Sequence, residues 1–405
     1  MRYLWILILA ACSKSSSTQA AGTTAFCTDA LSTTSFIAPA VTGSTGYNVL
    51  QFDIGISSVC NSTANVPCTS VTVCIPGTSQ CQTVDNILVD TGSYGLRIFS
   101  SVLQKNICQS LTPSKINTST IGECAQFGSV SLWGAVATAD IQLAQEPVIS
   151  VPIQIINASF ASVPSSCGSV PQTPSAAGFN GILGVGLGVA DCGSACATST
   201  GYGYYFTCSG STCTETTLTP GSQVQNPVAL LPKDNQGVIM DLTSWNSGRL
   251  GAASITGNLV FGINTAINNT IAGKTIYRTD ANYDIQTALA GTTITSFIDS
   301  GSNAYFLPIQ SGLISCANQS GFYCPISDYI ATAENISPVS SISSTASFTI
   351  TSETTLFAQS NYVFNNLGGQ GTQFDWGLPF FLGKKIAVCI DGATCGSSTG
   401  PLWAY

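Results

Sequence analysis

The sequence predicts an all-β fold made of two similar halves, and two observations support this prediction. Short apolar runs bounded by Gly, Pro, Ser and Asn recur along the 405 residues, and no long stretch has the 3.6-residue apolar period of a helix. One acidic turn also occurs twice, in Asn86–Ser93 (NILVDTGS) and in Ser296–Ser302 (SFIDSGS). The length is sufficient for two domains, each with a substantial core.

The individual strands follow from apolar runs and from alternation of apolar and polar residues. They are predicted at residues 48–57, 71–76, 82–89, 96–102, 136–143, 148–156, 258–263, 294–298, 304–308 and 344–355. A hairpin is predicted at 125–134, a glycine-rich apolar element at 179–186 and a core-closing segment at 376–390. Residues 191–226 are rich in Cys, Gly and Thr and are expected to form a surface excursion. Its aromatic residues are Tyr202, Tyr204, Tyr205 and Phe206.

The composition excludes several classes of function. Only 7% of the residues are charged and only 11 are Lys or Arg, so the clustered bases that a nucleic-acid backbone requires are missing. The absence of His excludes Ser-His-Asp and Cys-His catalysis and His-ligated zinc, and no metal or other cofactor is expected. Carboxylates remain as the acid–base groups, and the net charge of −8 suits an acidic setting.

The N-terminus resembles an export signal. Residues 1–11 combine an early Arg with a short apolar run, which is too short to span a bilayer, and small residues precede Cys12 as in a bacterial lipobox. This predicts a lipidated Cys12 on a flexible tether (12–45) and a cell-envelope lipoprotein, at the outer membrane or facing the periplasm. An ordinary secretory signal with a stray cysteine, as in a eukaryotic secreted protein, is the alternative.

The cysteine count agrees with an oxidising compartment. Of 17 cysteines, 16 remain when Cys12 is set aside, an even number as disulfides require. Local pairs are predicted at Cys74–Cys81, Cys108–Cys124, Cys208–Cys213, Cys316–Cys324 and Cys389–Cys395. The pair Cys192 and Cys196 is interpreted as a further disulfide, because neither a His nor a second close pair supports a metal site.

Each copy of the acidic turn places a carboxylate at the end of an apolar strand. The glycine lets the backbone fold close to Asp90 in one copy and Asp299 in the other, and the flanking hydroxyls can hydrogen-bond the acids. Either copy alone is equally well explained as ordinary turn chemistry, in which Asp caps and Gly bends. Two copies behind apolar runs favour a pair of functional acids.

With these motifs the chain resembles the pepsin-like, two-lobed aspartic peptidases from about residue 47 to its end. Leu88–Ser93 and Phe297–Ser302 resemble the two catalytic turns of that family. Ile182–Gly184 resembles the element that threads through the active-site loop of a lobe, and Gly377 takes the part of the second threading glycine. Leu259–Gly262 resembles the strand that opens the second lobe.

The resemblance implies an all-β, bilobal pepsin-like acid protease fold, with two pseudo-symmetric β lobes (46–235 and 236–405) and a cleft between them. It implies that Asp90 and Asp299 share a proton and activate a water to hydrolyse a peptide bond. Residues expected to support this dyad are Thr91, Gly92, Ser93, Ser300, Gly301 and Ser302. The expected partner is a polypeptide substrate or peptide ligand, bound to a monomer that is held at the membrane by its lipid.

The flap over the cleft departs from the family pattern. Phe127 and Arg97 stand where the family has a tyrosine hydrogen-bonded to a tryptophan, with Gly128 beside Phe127 and Trp133 as an alternative aromatic partner. Asp375 before Gly377 is also less apolar than the pattern. These changes leave a second hypothesis open, an inactive envelope lipoprotein that uses the same fold to bind a peptide or glycan.

Overall fold

The computed structural model describes residues 25–405, apart from residues 34, 41–45, 56–59, 61–62, 129 and 319. The predicted signal peptide, Cys12 and the first part of the tether lie outside the described residues. The remaining chain is all-β, as the sequence predicts.

The strands form where apolar and polar residues alternate or where apolar residues run together. In the strand Val49–Ile54, Phe52 and Ile54 are buried while Gln51 and Asp53 face solvent, which is the period of two expected when one face of a sheet is covered. The strand that leads into Asp90 alternates at first and is then buried at four successive residues, 87–90. Such a run belongs to a strand that is covered on both faces.

The first half of the chain contains twelve of the described strands. They are β1 (Val49–Ile54), β2 (Cys68–Cys74), β3 (Cys81–Asp90), β4 (Tyr94–Phe99), β5 (Thr112–Pro113), β6 (Lys115–Ile116), β7 (Ser119–Gln126), β8 (Ser131–Gln142), β9 (Ile149–Ile156), β10 (Gly181–Val185), β11 (Tyr205–Ser209) and β12 (Thr212–Glu215). The second half follows with β13 (Gly237–Asp241), β14 (Ile255–Phe261), β15 (Ile276–Arg278), β16 (Ile285–Leu289), β17 (Thr292–Ile298), β18 (Tyr305–Leu307), β19 (Tyr329–Ile336), β20 (Ser343–Ile350), β21 (Gly368–Gln370), β22 (Phe374–Trp376), β23 (Lys385–Cys389), β24 (Thr394–Cys395), β25 (Ser398–Thr399) and β26 (Leu402–Ala404).

Helices are short, in agreement with the missing helical period. The described α-helices are α1 (Lys105–Ser110), α2 (Pro174–Ala177), α3 (Gly193–Thr198) and α4 (Glu353–Phe357). Single 3₁₀ turns occupy Ala25–Cys27, Ser100–Val102, Ser165–Cys167, Pro220–Ser222, Pro227–Leu230, Ile267–Asn269 and Leu378–Phe380. None of the helices in the described ranges is long and apolar enough to cross a bilayer.

Two sheets contain nearly all of the described strands. The larger has 17 strands, namely β1 to β15 with β23 and β26, and the smaller has seven, β16 to β22. The large sheet joins both halves of the chain, because β1 pairs along its whole length with β14 and β13 pairs with both β14 and β23. One hydrophobic core cluster likewise contains residues from both halves, among them Phe52, Trp133, Phe261 and Trp376.

One three-stranded arrangement occurs in each sheet and ends at the acidic turns. In the large sheet β10 lies between β3, to which it is parallel, and β4, to which it is antiparallel. In the smaller sheet β22 lies in the same way between β17 and β18. The strand before each acid and the strand after it are therefore held together by a third strand inserted between them.

The segment 191–226 differs from the predicted surface excursion. It contains α3, β11 and β12, and β11 extends the large sheet by pairing with β7. Tyr205 and Phe206 are buried, whereas Tyr202 is more than half exposed. The prediction was wrong for β11 because Gly and Thr enrichment indicated a loop, while Phe206 packs edge-on against the buried ring of Trp133.

All 16 described cysteines form disulfides, which indicates an oxidising compartment. The pairs at Cys74–Cys81, Cys192–Cys196, Cys208–Cys213, Cys316–Cys324 and Cys389–Cys395 are confirmed. The predicted pair Cys108–Cys124 is wrong. Cys108 instead bonds Cys27 near the N-terminus, Cys124 bonds Cys167, and Cys60 bonds Cys68. Proximity in sequence failed here because β7 carries Cys124 away from α1 and toward the turn at Ser165–Cys167.

Removal of the Cys27–Cys108 disulfide is expected to cost more stability than removal of a local one. This bond closes a separation of 81 residues, for which chain entropy predicts a loss of about 4.5 kcal/mol of unfolding free energy. Cys192–Cys196 closes only 4 residues, for which the same relation predicts about 2 kcal/mol. Urea unfolding of the two double Cys→Ser variants provides the comparison, and equal losses would contradict the expectation.

Candidate active site

The first acidic turn begins where β3 ends at Asp90. The Gly92 N–H donates to Asp90 Oδ1 at 2.8 Å, and the Ser93 hydroxyl donates to Asp90 Oδ2 at 2.5 Å. The sequence folds this way because a glycine two residues after the acid lets the backbone turn back onto the carboxylate. Both oxygens of Asp90 therefore accept a hydrogen bond from its own turn.

The second turn repeats these contacts. The Gly301 N–H donates to Asp299 Oδ1 at 2.7 Å, and the Ser302 hydroxyl donates to Asp299 Oδ2 at 2.9 Å. The backbone N–H of Asp299 also donates to the carbonyl of Trp376 in β22 at 3.1 Å. Two segments about 200 residues apart thus present a carboxyl group in the same hydrogen-bonded setting.

Thr91 and Ser300 join the two turns by crossed hydrogen bonds. The Thr91 N–H donates to Ser300 Oγ at 3.1 Å, and the Ser300 N–H donates to Thr91 Oγ1 at 2.9 Å. Each hydroxyl in turn donates to a strand of the opposite half, Thr91 to the carbonyl of Ile298 at 3.3 Å and Ser300 to that of Val89 at 2.8 Å. Both side chains are buried, so these bonds fix the turns against each other without competition from water.

The two carboxyl groups consequently lie side by side. A methyl group added to Gly92 would lie 2.5 Å from Asp299 Cγ, and one added to Gly301 would lie 2.7 Å from Asp90 Oδ1 and 3.1 Å from Asp299 Oδ1. The glycine of each turn thus faces the acid of the other turn. Any side chain at these positions would push the acids apart, so the approach of the two carboxyls requires Gly92 and Gly301.

The environment of the pair favours one shared proton. Loss of hydration raises the pKa of Asp299 well above its usual range; the negative charge of Asp90, that of Asp375 when it is ionised, and a side-chain hydrogen bond with Asp90 raise it further. The hydrogen bond from Ser302 acts in the opposite direction. Asp90 is buried, while Asp299 is partly accessible and Gly92 is exposed, so solvent reaches the pair from this side. Such a pair can hold one carboxylate as a base next to one neutral acid.

The two predicted threading glycines lie beside the turns. Gly184 of β10 is in register with Asp90, and Gly377 directly follows β22, whose Trp376 is in register with Ile298. A methyl group on Gly184 would lie 2.6 Å from the Tyr94 nitrogen, and one on Gly377 would lie 2.1 Å from the Ala304 oxygen. Glycine is therefore required at both positions by the close approach of the backbone that leaves the acid.

The predicted flap residues lie at the hairpin formed by β7 and β8. Phe127 and the exposed Gly128 follow β7, and the Phe127 N–H donates to the carbonyl of Val130 at 2.9 Å. Arg97 is buried beneath this hairpin, with its guanidinium 5.5 Å from the centroid of the Phe127 ring. Trp133 donates instead to the carbonyl of Ala161 at 3.2 Å within the core, so it does not act as the alternative flap partner.

Two acids that bind Arg97 were missed by the sequence analysis. The Arg97 guanidinium donates to Glu123 Oε1 at 2.7 Å and to Asp191 Oδ2 at 3.0 Å, with all three side chains buried. Burial raises the pKa of Asp191 well above its usual range, Glu123 raises it further, and Arg97 opposes both. Only the scarcity of charge in the sequence could have suggested that these acids are paired inside the protein.

One cluster of residue types that can bind a metal ion does not offer a metal site. Cys316, Cys324 and Glu353 lie together, but the two cysteines are joined in a disulfide and cannot act as thiolate ligands.

Replacement of Thr91 by Val is expected to destabilise the protein by about 1–3 kcal/mol, because it leaves the buried Ser300 N–H without an acceptor. Thr91→Ser keeps the hydroxyl and is the matched control, with a smaller loss. Urea unfolding with the disulfides intact measures both. A Thr91→Val protein as stable as the Thr91→Ser protein would show that the crossed bonds do not hold the turns together.

Comparisons with known proteins assign the chain to a family without assigning a function. Among curated proteins, none matches this sequence significantly. A family model described as "Protein of unknown function (DUF3443)" matches residues 44–405 and thus covers both acidic turns and every strand described above. The chain therefore belongs to the DUF3443 family.

Proposed function

We propose that this protein is an aspartic endopeptidase that hydrolyses peptide bonds with a water activated by Asp90 and Asp299. The single observation that carries the proposal is the meeting of two carboxyl groups from distant turns, each with the same two hydrogen-bond donors. A turn that served structure alone would not require the glycine of each copy to face the acid of the other.

The roles of the two acids follow from their environments. Asp299, whose pKa is raised, is the neutral acid, and Asp90 is the carboxylate. Asp90 removes a proton from the water as its oxygen attacks the carbonyl carbon of the substrate, and Asp299 gives its proton to the carbonyl oxygen. The tetrahedral intermediate then collapses: the C–N bond breaks as the amide nitrogen takes a proton from Asp90, and Asp299 recovers its proton from the carbonyl oxygen.

In this proposal an extended peptide substrate lies between the acids and the β7–β8 hairpin. Phe127 and Gly128 at the hairpin end offer an aromatic ring and an exposed backbone, which a strand-like substrate can contact by its side chains and peptide groups. The proposal includes the bilobal pepsin-like fold, with lobes 46–235 and 236–405. Support comes from the repeated arrangement of β3, β10 and β4 in β17, β22 and β18.

The proposal also places the enzyme at the bacterial cell envelope. Eight disulfides indicate an oxidising compartment, and they use every cysteine except Cys12. A cysteine that follows a short apolar run and small residues is the acceptor that a lipoprotein signal requires. Lipidation of Cys12 would hold the domain at the membrane by the tether.

A second candidate function is an inactive envelope lipoprotein that binds a peptide or glycan in the same cleft. The observation that favours it is the burial of Arg97 under Phe127 in bonds with Glu123 and Asp191. Phe127 and Arg97 stand where the resembled family has a tyrosine hydrogen-bonded to a tryptophan in its flap.

Cleavage of a denatured protein at about pH 3–6, sensitive to a pepstatin-type inhibitor, tests the enzymatic proposal. Asp90→Asn and Asp299→Asn are each expected to lower kcat by at least about 1000-fold. Asp241→Asn is the control, because Asp241 pairs with Lys385 at 3.0 Å, away from the turns. Absence of cleavage by the correctly oxidised wild type would contradict the proposal. Ligand binding that survives Asp90→Asn would then support the second candidate.

Lipidation predicts that the protein made in a bacterial host partitions into detergent and carries acyl groups on an N-terminal Cys12. Intact-mass and peptide mass spectrometry measure the modification. Cys12→Ser should release the protein into the soluble fraction. A mature N-terminus elsewhere with an unmodified Cys12, or N-glycans on protein from a eukaryotic host, would favour the secretory alternative.

A further inference from the structure

A third acid, Asp375, lies next to the two proposed catalytic acids. It is the middle residue of β22, in register with Phe297 of β17 on one side and Phe306 of β18 on the other. Only 7% of Asp375 is exposed, and its Oδ1 has no hydrogen-bond partner among the described residues. A buried, incompletely bonded carboxyl group is costly and calls for a reason.

Asp375 marks a difference between the surroundings of the two turns. In the first half the corresponding position is Ile182, two residues before Gly184 as Asp375 is two residues before Gly377. Ile182 is in register with Leu88, the residue two before Asp90, as Asp375 is with Phe297, two before Asp299. The surroundings of Asp90 are therefore apolar at this point, while those of Asp299 contain an acid.

Ser302 connects Asp375 to Asp299. Its hydroxyl donates to Asp299 Oδ2 at 2.9 Å, and it is also near enough to Asp375 to influence the pKa of that carboxyl group. A hydroxyl has one proton to donate and can also accept. If Asp375 were ionised, its carboxylate would compete with the Asp299 carboxyl group for that one proton. If Asp375 is neutral, it donates to Ser302 Oγ, and the Ser302 proton remains directed at Asp299.

We propose that Asp375 is a positioning residue which, as a neutral acid, donates to Ser302 and so directs the Ser302 hydroxyl at Asp299. This inference rests on the proposed function, in which Asp299 carries the shared proton, and it assigns to the Asp299 turn a buried acid that the Asp90 turn lacks. The chain Asp375–Ser302–Asp299 has no counterpart at Ser93, because Ile182 cannot donate.

Burial, with a smaller effect of the charge of Asp90, keeps Asp375 neutral. Burial raises the pKa of Asp375 to about 8; the hydrogen bond with Ser302 opposes the increase and the charge of Asp90 adds to it. The ionisable groups that act on it are Asp90 and Asp299 on the turns, whereas Tyr305 of β18 lies on the opposite face of the sheet with its ring against Trp376. Because the pKa is raised, Asp375 is neutral in acid and ionises as the pH rises toward 8, when the Ser302 proton becomes contested.

Two substitutions distinguish hydrogen-bond donation by Asp375 from a role of its side chain in packing alone. Asp375→Asn keeps a donor that cannot ionise, so kcat should remain within about threefold of the wild type, and the alkaline fall in kcat/KM should move to higher pH. Asp375→Leu has no donor, so kcat should fall by about tenfold or more with KM little changed. Glu146→Gln is the control, because Glu146 is a buried acid with a pKa raised to about 7 away from the pair. Equal losses in both Asp375 variants, with an unshifted pH profile, would overturn the inference.

Carboxyl ¹³C NMR of full-length, aspartate-labelled protein tests the same inference without catalysis. The Asp375 signal is identified by its disappearance in Asp375→Asn and should remain that of a neutral acid at about pH 6.5. The Asp299 signal should change its titration in Asp375→Leu. An Asp375 that ionises below about pH 5 would overturn the inference even in an active peptidase. A wild type that cleaves nothing but retains a neutral Asp375 would contradict the proposed function alone.

Discussion

The crossed hydrogen bonds between Thr91 and Ser300 are the interaction on which the site depends. They join two turns whose acids are 209 residues apart in the chain, and they do so between backbone N–H groups and buried hydroxyls. Neither acid could approach the other if these turns separated, because like charges held close repel and lose hydration. The glycines at 92 and 301 then remove the last steric obstacle.

Local chemistry made the acidic turns predictable from the sequence. An apolar strand followed by Asp, a hydroxyl residue, Gly and Ser specifies a turn whose donors face the carboxylate, and this depends on neighbours within three residues. The short strands were predictable for the same reason, since the alternation of apolar and polar residues is visible within a few adjacent positions. The contacts that each turn makes across the molecule, in contrast, depend on residues far away in the sequence.

Features that depend on distant partners were missed or predicted wrongly. Arg97 was noted for its place under the flap, but its acids Glu123 and Asp191 lie in other strands and loops and leave no local signal. The pairing of Cys108 with Cys124 failed because a short separation in sequence is not a short distance in space. The acid at 375 was visible as an exception in an apolar pattern, yet only the register of β22 shows that it lies beside Phe297, two residues before Asp299.

The pairing of β1 with β14 has a consequence for how this molecule is made. A strand near the start of the chain finds its main partner about 200 residues later, so its edge stays open until more than half of the polypeptide is present. Contacts of such high sequence separation close slowly, and an open edge invites pairing with other chains. Assembly of the large sheet therefore waits for β14, and helper proteins that shield exposed strand edges would be of direct use to it.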